Sequence, residues 1–83
     1  MKFTVTISDT AESFLTELWL AGPDRDAVTA AQHHIDSILA QNPFRGIVER
    51  EGLRRLVVPP LSVVFEIEPE EKIVRITGVA RMP

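Results

Sequence analysis

The sequence predicts an α+β fold in which a strand, a helical hairpin and three further strands follow one another in the order β-α-α-β-β-β. Two changes in the spacing of apolar residues support this prediction. A short alternating segment at residues 3–7 gives way to helical spacing, and from residue 53 onward apolar and polar residues alternate with period two. The turns between the last three segments are short, which favours an antiparallel C-terminal sheet.

The first strand and the first helix are predicted within the first 23 residues. Phe3 to Ile7 alternates apolar and polar residues, as is typical of a half-buried strand. Asp9 with Glu12 three residues later resembles a capping box, which indicates the start of a helix. The apolar residues that follow recur at helical spacing: Ala11, Phe14, Leu15, Leu18 and Trp19. Gly22-Pro23 ends this helix, because Gly suits the position after a helix and Pro cannot continue one.

A second, longer helix is predicted from Asp24, which we expect to cap it, to Asn42-Pro43, which closes it. Its apolar residues form one stripe: Ala27, Val28, Ala31, Ile35, Ile38 and Leu39. Because the turn between the two helices is so short, they are expected to lie antiparallel as a hairpin on one face of the sheet.

Three strands complete the predicted fold at Leu53–Val58, Leu61–Glu68 and Ile73–Val79. Residues 46–51 form either a further short strand or a loop. Neighbouring side chains in a strand point to opposite faces, so one of Arg54 and Arg55 is expected on the open face. The other is expected at the edge of the core, paired with a carboxylate.

Composition limits the classes of function. A chain of 83 residues is expected to form one domain over 1–83, and its lack of cysteine excludes disulfides and thiolate chemistry. The net charge is −3, with −4 in residues 1–43 and +1 in residues 44–83, which argues against tight unassisted binding to nucleic acid. The first strand begins directly after Met1-Lys2 and no apolar run is long enough for a membrane span, so we expect a cytoplasmic protein.

No metal or other cofactor is expected. His33 and His34 are the two histidines of the chain. Neighbours on a helix point about 100° apart, so these rings do not converge on one ion. They are expected to be surface or boundary residues of the second helix, with His34 bordering the apolar stripe.

The ordered set of segments resembles the RelE/ParE toxin superfamily, of the type II toxin–antitoxin or plasmid stabilisation type, over essentially the whole chain. The resemblance is carried by Val5-Thr6-Ile7-Ser8 with Ala11-Glu12, by Ile38–Pro43, by Gly52-Leu53-Arg54-Arg55-Leu56, by Val63–Ile67 and by Val74–Arg81. It implies a bacterial toxin neutralised by a cognate antitoxin whose C-terminal segment wraps it. A homodimer and a heterotetramer with the antitoxin both stay open.

The resemblance implies two different modes of action. ParE-like members inhibit DNA gyrase by binding, whereas RelE-like members are ribosome-dependent mRNA endonucleases. Arg54 and Arg81 match arginine positions of the family and would be the catalytic pair of a nuclease. An RNase also needs a group to activate the 2′-hydroxyl, yet the chain has no tyrosine and residues 72–83 have no histidine. We therefore interpret the chain as a toxin that acts by binding. The endoribonuclease and a non-toxic, partner-binding member are the alternatives.

The candidate target- or partner-binding residues are basic or apolar side chains expected at the surface: Arg54, Arg55, Arg81, Trp19, Leu20, Ile73 and Val79. Alternation predicts that Ile73 and Val79 share the face opposite Val74 and Ile76. Trp19 either contributes to an exposed apolar surface at the end of the first helix or packs against the second helix.

Overall fold

The computed structural model describes residues 2–22 and 24–82, so Met1 and Pro23, which entered the predictions above, lie outside the described residues. The elements in chain order are β1 Thr4–Ile7, α1 Asp9–Ala21, α2 Arg25–Gln41, a 3₁₀ turn at Pro43–Arg45, β2 Ile47–Arg50, β3 Leu53–Val58, β4 Leu61–Glu68 and β5 Ile73–Arg81. The predicted order is confirmed, and the segment left open at residues 46–51 contains the short strand β2.

All five strands belong to one sheet, in the order β1-β5-β4-β3-β2. The strands β2 to β5 form an antiparallel meander, as their short turns predict. β1 pairs parallel to β5. Ser8 N donates to Ile76 O at 2.9 Å and Thr4 N to Lys72 O at 2.8 Å, which holds both ends of β1 against β5. The first and last strands are therefore neighbours, and β2 forms the opposite edge.

α1 begins with a side-chain cap from Ser8. Its hydroxyl oxygen accepts a hydrogen bond from Ala11 N at 3.1 Å, and its backbone is extended, with φ −70° and ψ 155°. Asp9 and Glu12 already lie in the first helical turn, where negative charge suits the positive end of the helix dipole. The prediction that Asp9 caps the helix is therefore wrong by one residue.

The core lies between one face of the sheet and the two helices. α1 packs mainly on β5, and α2 packs across β1, β3 and β4. The buried apolar residues are Phe3, Ala11, Val28, Ala31, Ile35, Leu39, Leu61, Val63, Phe65, Val74 and Ile76. Within the described parts of the chain, neither helix is long and apolar enough to cross a membrane.

An irregularity in β5 changes which of its residues face the core. Phe65 pairs with Ile76, whereas the preceding Val64 pairs with Gly78, so Thr77 is an extra residue on β5. Val79 therefore returns to the helix side, where it packs against the core. The prediction that Val79 lies on the face opposite Ile76 is wrong, because simple alternation does not anticipate an inserted residue.

Candidate functional site

Arg54 and Arg55 lie on opposite faces of the sheet, as expected for neighbours in a strand. Arg54 pairs across the ladder with the buried Phe65, which places it on the helix side. Arg55 pairs with Val64 and lies on the open face. The basic pair in the sequence is thus divided between two surfaces.

Arg54 lies at the edge of the core, beside the 3₁₀ turn. Its Nη1 donates to Gly46 O at 3.0 Å and to Phe44 O at 3.4 Å. Its Cζ lies 5.3 Å from the centre of the Phe44 ring, in a cation–π contact. None of the ion pairs within residues 2–22 and 24–82 includes Arg54. The prediction of a carboxylate partner for the arginine at the core edge is therefore wrong, because backbone carbonyl oxygens satisfy this guanidinium instead.

Arg55 ties three strands together on the open face. It forms an ion pair with Glu49 of β2 and donates from Nη1 to Ser62 Oγ of β4 at 2.7 Å. Ser62 is buried, with 1% of its surface exposed. A hydroxyl with so little access to water needs a hydrogen-bond partner inside the protein, and Arg55 supplies it.

Arg81 is held by a carboxylate of the helical hairpin. Its Nη2 lies 2.5 Å from Asp24 Oδ2, which joins the end of β5 to the start of α2. The hydrogen bond from Arg81 holds the pKa of Asp24 below its usual range, and the same bond raises the pKa of Arg81. Asp24 occupies the N-cap position as predicted, but its side chain makes no capping hydrogen bond. Among the described residues its second oxygen, Oδ1, is buried without a partner.

Arg54 and Arg81 do not come together. Arg54 pairs with Phe65 on one side of β4, and Arg81 pairs with Leu61 on the other. Four residues of a strand span about 13 Å, and two strand spacings add about 10 Å across the sheet. Each guanidinium is also held by different partners, so the two arginines do not face one common phosphate in this structure.

Trp19 and Leu20 have different surroundings at the end of α1. The Trp19 indole donates to Thr29 Oγ1 of α2 at 3.1 Å, and Arg25 Cζ lies 4.8 Å from the centre of its ring. Trp19 therefore packs against the second helix while 38% of its surface stays exposed, so both predicted arrangements hold in part. Leu20 points away from the core and is 57% exposed.

Ile73 lies at the start of β5, between Thr4 of β1 and Glu68 of β4. It is half-buried and does not belong to the core cluster. Its neighbour Arg75 donates to Glu68 on the open face at 2.8 Å. Ile73 therefore lies on the open face of the sheet, beside the Arg75–Glu68 ion pair.

An apolar crevice of about 390 Å³ opens between α1, α2 and the sheet. Leu15 and Ile35 contribute from the helices, and Val79 contributes from β5. Asp36 lies at this crevice, and partial burial raises the pKa of its carboxyl. Val79 therefore contributes to this crevice on the helix side of the sheet, and not to the open face on which alternation predicted it.

Sequence reasoning missed Phe44, Glu49 and Asp24 as contributors to these sites. Phe44 directly follows Pro43, where the predicted second helix and its apolar stripe have ended. This position is the one local signal that its ring lies outside the core. The contacts of Glu49 and Asp24 depend on strand register and on the docking of α2, which no local spacing reports. His33 and His34 are exposed, and residues 2–22 and 24–82 contain no group of three or more metal-ligating side chains.

Comparisons with solved structures place this fold among known proteins. No protein-family model and no curated protein sequence matches the chain. A chain of the toxin–antitoxin complex RelBE2 from Mycobacterium tuberculosis is similar with a TM-score of 0.78 and 22% identity, over 98% of this chain and 92% of that one. A chain of the chromosomal ParDE toxin–antitoxin system of P. aeruginosa has a TM-score of 0.68 and 18% identity, over 99% and 98% of the two chains.

The isolated RelE toxin of E. coli is also similar, with a TM-score of 0.72 and 10% identity over 98% of this chain and 85% of that one. The fold expected from the resemblance is thereby confirmed: this chain has the fold shared by RelE and ParE structures. Each of these matches covers at least 98% of this chain and at least 85% of the chain compared with it.

Proposed function

We propose that the chain is the toxin of a type II toxin–antitoxin pair, that a cognate antitoxin neutralises it, and that it acts by binding its target. The supporting observation is the whole-chain likeness to members of toxin–antitoxin systems, which covers 98% of this chain and 92% of the RelBE2 chain. Because nearly the whole of both chains takes part, the likeness supports a toxin-type domain that spans residues 1–83.

Binding is favoured over RNA cleavage because of how the arginines are used. Arg81 is neutralised by Asp24 and Arg55 by Glu49, and Arg54 is turned toward backbone carbonyls. A nuclease needs convergent groups that move a proton and stabilise the charge on one phosphate. Arg54 and Arg81 are far apart and differently held, which counts against their sharing such a site. DNA gyrase is the target that the resemblance to ParE suggests.

The antitoxin is expected to cover apolar surface on the helical side of the molecule. The apolar crevice accepts side chains of an amphipathic segment, in the manner of a helix in a groove. Leu20, at the end of α1, is available to the same or an adjoining segment. These surfaces are separate from the open face of the sheet, so a partner on the helices leaves that face free.

The test is induced expression of the chain with and without the antitoxin encoded beside it. We expect growth to stop when the chain is expressed alone, a DNA-damage response to be induced and cellular mRNA to stay intact. Coexpression of the antitoxin is expected to restore growth. The variant Leu20→Asp is expected to remain toxic and to need more antitoxin for rescue, because it places a charge on the proposed contact.

Three outcomes would contradict the proposal. Unimpaired growth in the absence of antitoxin would leave a non-toxic binding protein as the better interpretation. Ribosome-associated mRNA cuts that disappear in Arg81→Ala would establish the endoribonuclease alternative. Growth arrest with neither mRNA cleavage nor a DNA-damage response would refute the gyrase assignment.

A further inference from the structure

Three arginines that have no carboxylate partner among the described residues lie within residues 45–54, at the edge of the sheet formed by β2 and β3. In the described part of the chain, the ion-paired arginines are Arg55, Arg75 and Arg81. Within residues 2–22 and 24–82, Arg45 of the 3₁₀ turn, Arg50 of β2 and Arg54 of β3 have no such partner. Of the two glutamates in residues 44–54, Glu49 is already paired with Arg55. This corner therefore carries positive charge that the protein itself does not neutralise.

The same corner contains a cavity of about 220 Å³ with mainly apolar walls. Phe44, Val48 and Ile67 form part of these walls, and Arg50 and Arg54 also line the cavity. Phe44 is 49% exposed and Val48 58% exposed, so the apolar walls are open to a ligand.

Arg54 offers a preformed set of donors to this cavity. Its Nη1 is occupied by the carbonyl oxygens of Gly46 and Phe44. Its Nε and Nη2 make no hydrogen bond within residues 2–22 and 24–82, and this edge of a guanidinium matches the two oxygens of a carboxylate. The Phe44 ring and the two carbonyls hold the guanidinium plane in place, which lowers the entropy lost on binding.

The arrangement limits the chemistry of the ligand. Apolar walls and guanidinium groups line the same small cavity. A polypeptide ligand that uses both must therefore carry an apolar group and an anionic group on the same residue. An aspartate or glutamate uses its side chain for the carboxylate and has no apolar group left. A C-terminal apolar residue carries both on one Cα. A nucleic acid strand is disfavoured because the chain as a whole has a net charge of −3.

We propose that this corner binds the C-terminal residue of a partner polypeptide. The terminal carboxylate lies on Arg54, with Arg50 adding charge, and an apolar side chain such as leucine or phenylalanine packs against Phe44, Val48 and Ile67. This site lies apart from the apolar crevice and goes beyond the proposed toxin function. This proposal can be tested independently of the toxin proposal, because a non-toxic binding protein would use the same site equally well.

The test is an NMR titration that follows the backbone amides of the labelled full chain. The probe is N-acetyl-L-phenylalanine, and its carboxamide is the matched control compound. For a ligand this small we expect a dissociation constant on the order of millimolar. The amide signals of Phe44, Val48, Gly52 and Arg54 should shift. The carboxamide is expected to bind about tenfold more weakly or worse, because it lacks the charge-assisted bonds.

Protein variants separate the parts of the site. Arg54→Lys keeps the positive charge but loses the pair of parallel N–H donors that can bind both carboxylate oxygens. This substitution should weaken binding about tenfold. Because Arg54 also supports the turn at Gly46, Val48→Glu tests the site without touching it and is expected to abolish binding through repulsion and loss of the wall. Arg75→Gln is the control, since Arg75 pairs with Glu68 on the opposite face.

Equal binding of the acid and the carboxamide would overturn the proposal. Shifts centred away from the corner would do the same. If acetate binds as tightly as N-acetyl-L-phenylalanine, the apolar walls contribute nothing to binding, and this result would also overturn the proposal. Loss of growth inhibition in cells has no bearing on these readouts, so failure of the toxin proposal is distinguishable from failure of this one.

Discussion

At the scale of single residues, the arginines acquire different properties from their surroundings. Arg54 and Arg55 are adjacent in the chain, yet strand alternation sends one to a carbonyl-lined corner and the other to Glu49 and the buried Ser62. Arg81 finds its carboxylate 57 residues away, at Asp24. An arginine held by a carboxylate binds an outside anion only by giving up that partner, so the arginines are not equivalent as binding groups.

Asp24→Asn is expected to lower the melting temperature by a few degrees at neutral pH. The hydrogen bond from Arg81 lowers the pKa of Asp24 in the folded chain, so the pair contributes stability above the unfolded pKa of about 3.9. That contribution is lost as pH falls through the lower folded pKa. The difference in melting temperature between wild type and variant should therefore be constant from pH 7 to pH 5 and shrink below pH 4.

A double-mutant cycle with Arg81→Ala is the control for this ion pair. If the two single variants are additive, Asp24 and Arg81 do not stabilise each other. If the difference between wild type and Asp24→Asn persists undiminished near pH 2, the effect comes from packing around the side chain of residue 24 and not from its charge.

Gly46→Ala is expected to destabilise the fold by about 1–3 kcal/mol through overpacking. A Cβ at this position would lie 2.6 Å from Phe65 Cζ and 3.1 Å from the carbonyl oxygen of Arg55. Phe65 is fully buried and has no room to withdraw. Gly78→Ala is the matched control in the same sheet: its Cβ would lie 3.8 Å from Val64, and urea denaturation should detect at most about 0.5 kcal/mol. Equal effects of the two substitutions would refute the packing argument.

At the scale of elements, the two ends of the sheet differ in how they are completed. β1 is held at both ends by backbone bonds to β5 and its flanking residues, so the N-terminal strand is fixed by the last strand of the chain. β2 is a four-residue edge strand whose pairing with β3 is interrupted between Val48 and Arg50. Short, irregular edge strands resist unwanted pairing with other chains, which compensates for the exposure of Ile47 and Val48.

Ser8→Ala is expected to cost about 1 kcal/mol by removing the side-chain cap of α1. For a domain of this size the melting temperature should fall by roughly 4–8 °C. Ser13→Ala, at an exposed position inside the same helix, is the control and should be neutral or slightly stabilising because alanine is the best helix former. A melting temperature unchanged by Ser8→Ala would show that Asp9 or water replaces the cap.

At the scale of the whole molecule, the helical side and the open face of the sheet offer different surfaces. The helices and the core face enclose the apolar crevice, whereas the open face carries ion pairs such as Arg75–Glu68. Residues 1–43 have a charge of −4 and residues 44–83 a charge of +1, so acidic groups dominate the half that contains the helices. We therefore expect the proposed antitoxin, as a partner of the helical side, to be apolar enough to fill the crevice and at most weakly acidic.

Binding of the proposed antitoxin should stabilise the chain strongly. A small domain has modest stability of its own, and a ligand present at 1,000 times its dissociation constant adds about 4 kcal/mol. The melting temperature of the purified chain should rise by roughly 15 °C or more. Differential scanning calorimetry with and without excess antitoxin measures this rise in melting temperature. The same antitoxin should give a smaller rise with Leu20→Asp, and no rise with the wild type would contradict the proposed partner.

Much of the fold was predictable from the sequence, because element type depends on local spacing. Helical recurrence over Ala11–Trp19 and Ala27–Leu39 and alternation from Leu53 onward indicated the order of elements, and the structure confirms it. The candidate site was less predictable. Arg54, Arg55 and Arg81 were named from the sequence, but their partners were not.

Some features of this protein were decided only by the tertiary structure, because they depend on contacts between residues that are distant in the chain. The sequence by itself determined an α+β chain with one strand, a helical hairpin and a C-terminal antiparallel sheet. The extra residue Thr77, which turns Val79 to the core, follows from the register of β5 against β4. The carbonyl partners of Arg54 and the carboxylate partner of Arg81 follow from where the 3₁₀ turn and α2 dock on the sheet.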